Sequence, residues 1–254
     1  MPGTDFSLGL KQRCLLPLFH RYCAAMADRN IVALGGGGFG GLRGDRALDD
    51  FVLGLAGRER PAVCFVPTAS GDADTYVVRF HAAFPPERAR ATHLPLFARD
   101  GRDLRDHLLG QDVIYVGGGN TVNMLAIWRA HGVDAALREA WEAGVVMAGM
   151  SAGALCWFEG GITDSYGAVD GLPDGLGLLP GSMCPHFDSE PGRRPVYLRL
   201  VAEGALPAGI AADDDCALHF RGTSLAEAVS ARDGAVAYRI DASGASPLPV
   251  RRIG

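Results

Sequence analysis

The residues with the clearest chemical potential form the pentapeptide GMSAG at positions 149–153. An apolar, strand-like run at residues 145–148 precedes it and a helical pattern follows it. This is the strand, turn and helix context in which G-x-S-x-G exposes a nucleophilic serine. The sequence therefore predicts Ser151 as the nucleophile of an acyl transfer. The alternative is a tight strand-to-helix turn that happens to contain a serine.

A serine hydroxyl needs a neighbouring base to take its proton. Among the seven histidines, His186 lies in the loop-like segment CPHFD at 184–188, directly after a stretch rich in Gly and Pro at 171–182. A histidine on such a loop can face a serine elbow, so we predict His186 as the base. A histidine exposed on a surface loop is the alternative that the sequence leaves open.

The turn GGGNT at residues 117–121 lies between an apolar strand pattern and a helix pattern. Consecutive glycines let main-chain amides point at one spot, which suits an oxyanion or a phosphate. We therefore expect an amide of Gly118 or Gly119, together with the amide of Ala152, to form an oxyanion hole. A plain turn between strand and helix is the alternative.

A second glycine-rich turn, at residues 35–41, contains a G-x-G-x-x-G match. The dinucleotide fingerprint also requires an acidic residue about 20 positions further on, at the end of a second strand, and none closes a strand there. A nucleotide-binding module that uses this turn is the non-enzyme alternative.

Two acidic positions could orient the histidine, as the third group of such a site does. One is Asp164. The other is the run of three carboxylates at residues 213–215, which lies between apolar segments. Buried carboxylates are costly unless they are paired, so this run either lines a polar cleft or forms a solvated turn. No group of residues has metal-ligand spacing, and the sequence implies no metal and no other cofactor.

Four apolar runs, at residues 31–34, 62–66, 113–116 and 145–148, alternate with helical patterns at 45–56, 72–83, 121–130 and 133–143. This alternation predicts an α/β fold with a doubly wound, mostly parallel sheet and helices on both faces. A further helix is expected near 195–203. Short runs at 217–220, 228–230 and 235–240 predict a small antiparallel edge near the C-terminus. Ligands of such sheets bind at the carboxyl ends of the strands, where the predicted site residues lie.

The chain has 254 residues, 48% of them hydrophobic, and a net charge of −5. We expect one domain over residues 26–254 after an extension at 1–25, with Met26 as a candidate original start. The acidic balance argues against a nucleic-acid surface. No apolar run reaches the roughly 18 residues of a membrane span, and six scattered cysteines without a C-x-x-C pair favour a cytoplasmic location.

Taken together, the segments at 31–39, 115–121, 149–153 and 185–187 resemble the peptidase E family, in the same order, over roughly residues 30–240. Those proteins are serine peptidases with a fold related to class I glutamine amidotransferases. The resemblance implies Ser151 as nucleophile, His186 as base and Asp214 as the acid. Where this chain has Asp214-Asp215, the better-known members of the family have Glu-Gly. The aspartate side chain is shorter than that of glutamate, so it must lie closer to reach the same imidazole. Asp164 matches a second acidic position of the family.

The resemblance also implies a substrate, a small peptide with an N-terminal aspartate. Arg193 and Arg194 follow the histidine loop, where the family carries arginines, and bidentate arginine suits a carboxylate. A solvated basic pair that opens a helix is the alternative. Asn120 is expected to contact the substrate as well. Remaining alternatives are a cyanophycinase-like β-aspartyl peptidase or another amidase or esterase on this fold. A class I amidotransferase is disfavoured because its elbow carries cysteine, whereas Cys156 lies beyond the elbow. A homodimer is one expected state.

Overall fold

A computed structural model of the protein describes residues 29–41 and 46–254. The strands are β1 (Asn30–Leu34), β2 (Ala62–Val66), β3 (Arg90–His93), β4 (Val113–Val116), β5 (Val146–Met150), β6 (Phe158–Thr163), β7 (Asp170–Leu172), β8 (Leu179–Cys184), β9 (Gly209–Ala212), β10 (Cys216–Arg221), β11 (Ser224–Ser230), β12 (Ala237–Asp241), β13 (Gly244–Leu248) and β14 (Val250–Arg252). The α-helices are α1 (Ala47–Gly54), α2 (Asp74–Ala83), α3 (Leu104–Leu109), α4 (Thr121–His131), α5 (Val133–Glu142), α6 (Ala152–Leu155) and α7 (Arg193–Ala202). The predicted extension at 1–25, Met26 and residue 45 lie outside the described residues.

The main sheet has eight strands in the order β14-β11-β10-β1-β5-β4-β2-β3. Strands β1 to β5 run parallel to one another, and β10 pairs antiparallel with β1. The predicted doubly wound α/β fold is therefore confirmed. The sequence did not predict β3, which is short and only partly buried, or α3, which has six residues.

The parallel strands are covered on both faces, which explains their nearly continuous apolar runs. Along β1, Ile31 and Ala33 pack in the same core as Leu125 and Trp128 of α4. The intervening Val32 and Leu34 pack with side chains of α1 and α2 on the opposite face. Alternate residues of a strand point to opposite faces, so each strand ties the two helical layers together.

A second sheet of six strands, in the order β13-β12-β9-β8-β6-β7, was not predicted. Residues 217–220 and 228–230 do form antiparallel strands of the main sheet, within β10 and β11. The run at 235–240 instead forms most of β12 and pairs with β9 and β13, so its predicted place at the same edge was wrong. Alternating hydrophobicity shows that a strand is half-buried but does not show which sheet it joins.

The predicted helices agree with the structure to within two residues at each described end, as α1, α2, α4, α5 and α7 show. Helix α7 and the second sheet share a core that includes Ile162, Tyr197 and Leu200. Among the described helices, none combines the length and the apolar character that a membrane span requires.

Asp49, on α1, is a buried carboxylate that accepts a hydrogen bond from the Tyr115 hydroxyl at 3.1 Å. Burial raises the pKa of Asp49 from 3.8 to about 6. A raised folded-state pKa means that the ionised carboxylate costs stability above pH 6. That cost disappears as the pH falls through 6 towards the ordinary value.

We therefore expect Asp49→Asn, which keeps an oxygen for Tyr115, to raise the free energy of unfolding at pH 8. The gain is up to about 3 kcal/mol, from about 2 pKa units at 1.36 kcal/mol each, and most of it is absent at pH 4. Urea unfolding at both pH values measures it. Asp233→Asn, at an aspartate whose side chain is 95% exposed, serves as the control. A gain of equal size at both pH values would contradict the assignment.

Candidate active site

The serine elbow is a sharp turn between β5 and α6. Ser151 has φ 55° and ψ −114°, a conformation that non-glycine residues rarely adopt. Both flanking glycines are needed for close backbone approach: a Cβ at Gly149 would lie 2.1 Å from the Gly153 carbonyl oxygen, and one at Gly153 would lie 2.4 Å from that of Val116. The motif therefore forms the tight strand-to-helix turn that its sequence context predicted, and the structure shows that the turn is strained.

His186 follows β8 and is also in the left-handed region, with φ 53°. Its amide donates to the Gly35 carbonyl oxygen at 3.1 Å, and the amide of Ser151 donates to that of Leu34 at 3.2 Å. Two consecutive carbonyls at the end of β1 thus hold both residues. Within the described residues no hydrogen bond joins the Ser151 hydroxyl to His186. Such bonds commonly tighten only when substrate is bound.

The acid that contacts His186 is Asp214, whose Oδ1 lies 2.6 Å from Nδ1 of the imidazole. A carboxylate at Nδ1 keeps the proton on that nitrogen and leaves Nε2 as the basic one. Burial would raise the pKa of Asp214. Hydrogen bonds from His186 and Ser189 and the charge of Arg232 outweigh it, and the pKa lies below 3.8. Asp214 therefore remains a carboxylate at neutral pH.

Two further residues clamp the backbone of Asp214. Its amide donates to Oδ1 of Asp188 at 2.9 Å, and its carbonyl oxygen accepts from Arg232 Nη2 at 3.0 Å. Arg232 and Asp188 also pair with each other at 2.5 Å. The clamp joins the histidine loop, which contains Asp188, to the loop of the acid. No sequence pattern predicted this clamp, because Arg232 stands in no motif.

Asp164 pairs with Arg193, whereas the carboxylate in contact with the imidazole is that of Asp214. The carboxylate of Asp164 is exposed and lies 3.7 Å from the guanidinium of Arg193. Arg193 is itself buried and donates to Glu190 at 2.5 Å and to the Ile162 carbonyl oxygen at 2.9 Å. These contacts hold the start of α7 against β6. Of the two acids that the sequence offered, the structure places Asp214 on His186.

Arg194 has different surroundings from its neighbour. Its side chain is exposed, and its guanidinium carbon lies 5.0 Å from the ring centroid of Phe187 and 5.5 Å from that of Tyr238. Phe187 directly follows His186, so this cation stacks beside the histidine loop. Arg194 is thus the member of the predicted arginine pair that can meet a ligand.

The turn after β4 lies against the serine. A Cβ at Gly118 would be 3.3 Å from Cβ and 3.8 Å from Oγ of Ser151. The Gly118 amide donates to the hydroxyl of Tyr76 at 3.3 Å. Gly119, with φ 137°, is packed so closely that a Cβ would lie 2.2 Å from the Ala69 carbonyl oxygen. Tyr76 is a further residue that the sequence did not single out.

Asn120 is occupied by structural hydrogen bonds. Its Oδ1 accepts from the Asn123 amide at 2.8 Å and caps the first turn of α4. Its Nδ2 donates to the Ser165 carbonyl oxygen at 3.1 Å. Asn120 was predicted to contact the substrate, but its side chain instead bonds to the protein backbone and holds the turn with Gly118 and Gly119 in position.

The glycine-rich turn at 35–41 packs against the three aspartates. A Cβ at Gly35 would lie 2.3 Å from the Asp213 carbonyl oxygen, and one at Gly37 would lie 2.4 Å from Oδ1 of Asp215. The carboxylates that pack against this turn would repel the phosphate groups of a nucleotide. The glycines allow the acidic loop to approach β1, and the geometry gives no support to a nucleotide site there.

The described residues offer no metal cluster, and the cysteine nearest the elbow in sequence is not a candidate nucleophile. Residues 29–41 and 46–254 contain no group of three His, Cys, Asp or Glu side chains placed to hold a metal ion. The thiol of Cys156 is fully buried, and burial raises its pKa well above the usual value. A buried, protonated thiol is a poor nucleophile.

A serine elbow beside a histidine–carboxylate pair, at the carboxyl edge of a doubly wound sheet, is the arrangement of acyl-transfer enzymes. Residues 31–228 match the model of peptidase family S51. The uncharacterized peptidase YgaJ of Bacillus subtilis (strain 168) is 48% identical over 230 residues, which cover 89% of this chain and all of that protein. Peptidase E of Streptomyces coelicolor is 30% identical over 140 residues, 51% of this chain and 53% of its own.

The chain therefore belongs to peptidase family S51 and is a peptidase, and the predicted membership of the peptidase E family is confirmed. Two solved structures share the fold. A peptidase from an acI-B1 actinobacterium has a TM-score of 0.65 at 19% identity and covers 88% of this chain and 95% of its own. A putative peptidase E from Listeria monocytogenes EGD-e has a TM-score of 0.58 at 21% identity, with 78% and 97% covered.

Gly36 gives a direct test of the histidine–carboxylate pair, since a Cβ there would lie 2.0 Å from Oδ1 of Asp214 and 2.9 Å from Cε1 of His186. We expect Gly36→Ala to separate the pair and to lower kcat/KM by about 10²-fold, the usual effect of a displacement near 1 Å. Steady-state peptide hydrolysis measures it. Gly54→Ala, at a glycine with open space around it, is the matched control. A folded Gly36→Ala protein with full activity would show that the pair is not needed.

Proposed function

We propose that this chain is a serine peptidase that hydrolyses small peptides through an acyl-enzyme on Ser151. The observation that carries the proposal is the shared anchor at the end of β1. There, neighbouring carbonyls accept the amides of Ser151 and His186, while the carboxylate of Asp214 contacts Nδ1 of the imidazole. Membership of family S51 supports the same chemistry.

In the first half of the reaction, Nε2 of His186 takes the proton of the Ser151 hydroxyl while Oγ attacks the scissile carbonyl carbon. The negative charge on the carbonyl oxygen is stabilised by the amide of Ala152 and by a second donor at the turn that contains Gly118 and Gly119. The imidazolium then protonates the leaving amine, and the C–N bond breaks. The new N-terminus departs and an ester on Ser151 remains.

In the second half, His186 takes a proton from water, and the resulting hydroxide attacks the ester carbonyl. The tetrahedral intermediate collapses, Oγ recovers a proton from the imidazolium, and the carboxylic acid leaves. Asp214 keeps its negative charge throughout and stabilises the imidazolium that forms in each half. No cofactor is needed for these steps.

The proposed substrate is a dipeptide with an N-terminal aspartate. A free carboxylate on the substrate needs a cation, and Arg194 presents an exposed guanidinium beside the histidine loop, whereas Arg193 is already paired. The relative from Streptomyces coelicolor is named peptidase E, the family whose resemblance implies this substrate. A cyanophycinase-like β-aspartyl peptidase remains the second candidate, since a β-aspartyl substrate carries a carboxylate that the same arginine could bind.

Labelling with a fluorophosphonate tests the nucleophile. We expect one adduct, on the peptide that contains Ser151, and its loss in Ser151→Ala and in His186→Ala, because the hydroxyl is reactive only when the imidazole takes its proton. Intact-protein mass and peptide mapping measure it. Ser243→Ala, at an exposed serine, is the control. Peptide hydrolysis at the wild-type rate by Ser151→Ala would refute the proposal.

A panel of α-Asp, β-Asp and neutral dipeptides tests the substrate. We expect Arg194→Met to lower kcat/KM for α-Asp dipeptides by 10-fold or more, about the 1.5–3 kcal/mol of a hydrogen bond to a charged group. Hydrolysis of neutral dipeptides, if measurable, should change little. Arg199→Met, at an exposed arginine of the same helix, is the control. Equal losses on all three substrate classes would contradict a role in aspartate recognition, and a β-Asp preference would favour the second candidate.

A further inference from the structure

Tyr76, on α2, places a hydroxyl beside the elbow. Its ring packs against Phe39 and Phe65, with centroids 5.5 and 5.1 Å away. Its oxygen accepts from the Gly118 amide at 3.3 Å and donates to the thioether sulfur of Met150 at 2.9 Å. Tyr76 therefore contacts both the turn that faces the serine and the residue that precedes it.

The contact with Gly118 changes the expected oxyanion hole. That amide points at the hydroxyl of Tyr76, so in this structure it is not free to receive a substrate oxygen directly. From this we infer that the Tyr76 hydroxyl is itself an oxyanion donor, placed between the Gly118 amide and the substrate oxygen. This inference rests on the acyl-enzyme reaction proposed above for Ser151.

The hydrogen-bond partners of Tyr76 fit this role. A thioether sulfur is a weak acceptor, and an oxyanion is a strong one. Rotation about the Cζ–Oη bond redirects the proton from Met150 to the oxyanion without moving the packed ring. The Gly118 amide, which donates to the same oxygen, polarises the O–H bond and strengthens it as a donor. Burial raises the pKa of Tyr76, so the phenol keeps its proton at neutral pH.

A donor that responds to developing negative charge acts mainly in the transition state. We therefore expect Tyr76→Phe to lower kcat by about 10²–10³-fold, the usual cost of losing one oxyanion donor, with little change in KM. The affinity for a peptide aldehyde, whose adduct with Ser151 carries an oxyanion, should fall in parallel with kcat. Tyr166→Phe, the same change at a tyrosine that is 64% exposed, should leave both unchanged.

A purely structural role is tested with Met150→Leu, which removes the thioether and keeps the ring and hydroxyl of Tyr76. If the hydroxyl acts by donating to the oxyanion, Met150→Leu retains most of the activity. A loss equal to that of Tyr76→Phe would mean that the contact only holds the elbow. Unchanged or faster turnover by Tyr76→Phe would show that an amide of the turn acts directly, and would overturn the inference.

Failure of this inference differs from failure of the proposed function. If wild-type protein neither reacts with a fluorophosphonate at Ser151 nor cleaves any dipeptide, the acyl-enzyme proposal fails. If the wild type does both and Tyr76→Phe keeps full kcat and aldehyde affinity, only the role of Tyr76 is wrong.

Discussion

The end of β1 is the point on which the site depends. The carbonyl oxygens of Leu34 and Gly35 accept hydrogen bonds from the amides of Ser151 and His186, respectively. Two segments that are distant in sequence are therefore held by consecutive residues at the end of one strand. Strand β5, which ends at the serine, pairs parallel with β1 on one side. Strand β10 pairs antiparallel on the other side and therefore begins where β1 ends. Asp214 lies two residues before the start of β10, and this reversal of direction brings it to the edge of the sheet that carries Ser151 and His186.

This arrangement is maintained at the cost of backbone strain. Within the described residues, four non-glycine residues have positive φ: Asp72, Ser151, His186 and Asp215. Each such residue costs of order 1–3 kcal/mol, and the surrounding structure must over-determine it. At Ser151 and His186 the anchoring hydrogen bonds to β1 do so. At Asp215 the carbonyl oxygen accepts from the Ala231 amide at 2.9 Å. Three of the four residues belong to the proposed catalytic group of Ser151, His186 and Asp214 or directly adjoin it, so the strain is concentrated at the proposed site.

The sequence predicted what depends on local pattern. Apolar runs gave the buried parallel strands, and the G-x-S-x-G context gave the elbow at Ser151. The choice between Asp164 and Asp214 could not be made, because it depends on where β10 joins the sheet. Tyr76 and Arg232 could not be predicted either, since a tyrosine on a helix and an arginine in a loop carry no motif. Their roles arise from strand order and helix packing, which spacing along the chain does not encode.

Arg193 and Asn120 show the opposite case, in which residues that were predicted to bind substrate bond to protein groups instead. Their residue types suited ligand binding. The buried Arg193, however, donates to Glu190 and to a main-chain carbonyl oxygen, and Asn120 caps a helix. A cation or an amide near a predicted site satisfies protein groups as readily as substrate groups. Residue type and position therefore indicated which residues could bind substrate. Only the hydrogen-bond partners in the structure distinguished the exposed Arg194 from the paired Arg193.

The use of aspartate as the acid is explained by the space around it. An aspartate is one methylene shorter than the glutamate that the family resemblance implies, so its backbone must lie closer to the imidazole. Gly36 supplies the room, because any side chain there would overlap Oδ1 of Asp214. The pair of Asp188 and Arg232 then fixes the amide and the carbonyl of Asp214 in that position. A short acid has fewer rotamers to lose, and with its backbone clamped it holds His186 in one orientation. Arg232 also helps to keep the pKa of Asp214 low, so the carboxylate stays charged, as the reaction proposed for Ser151 requires.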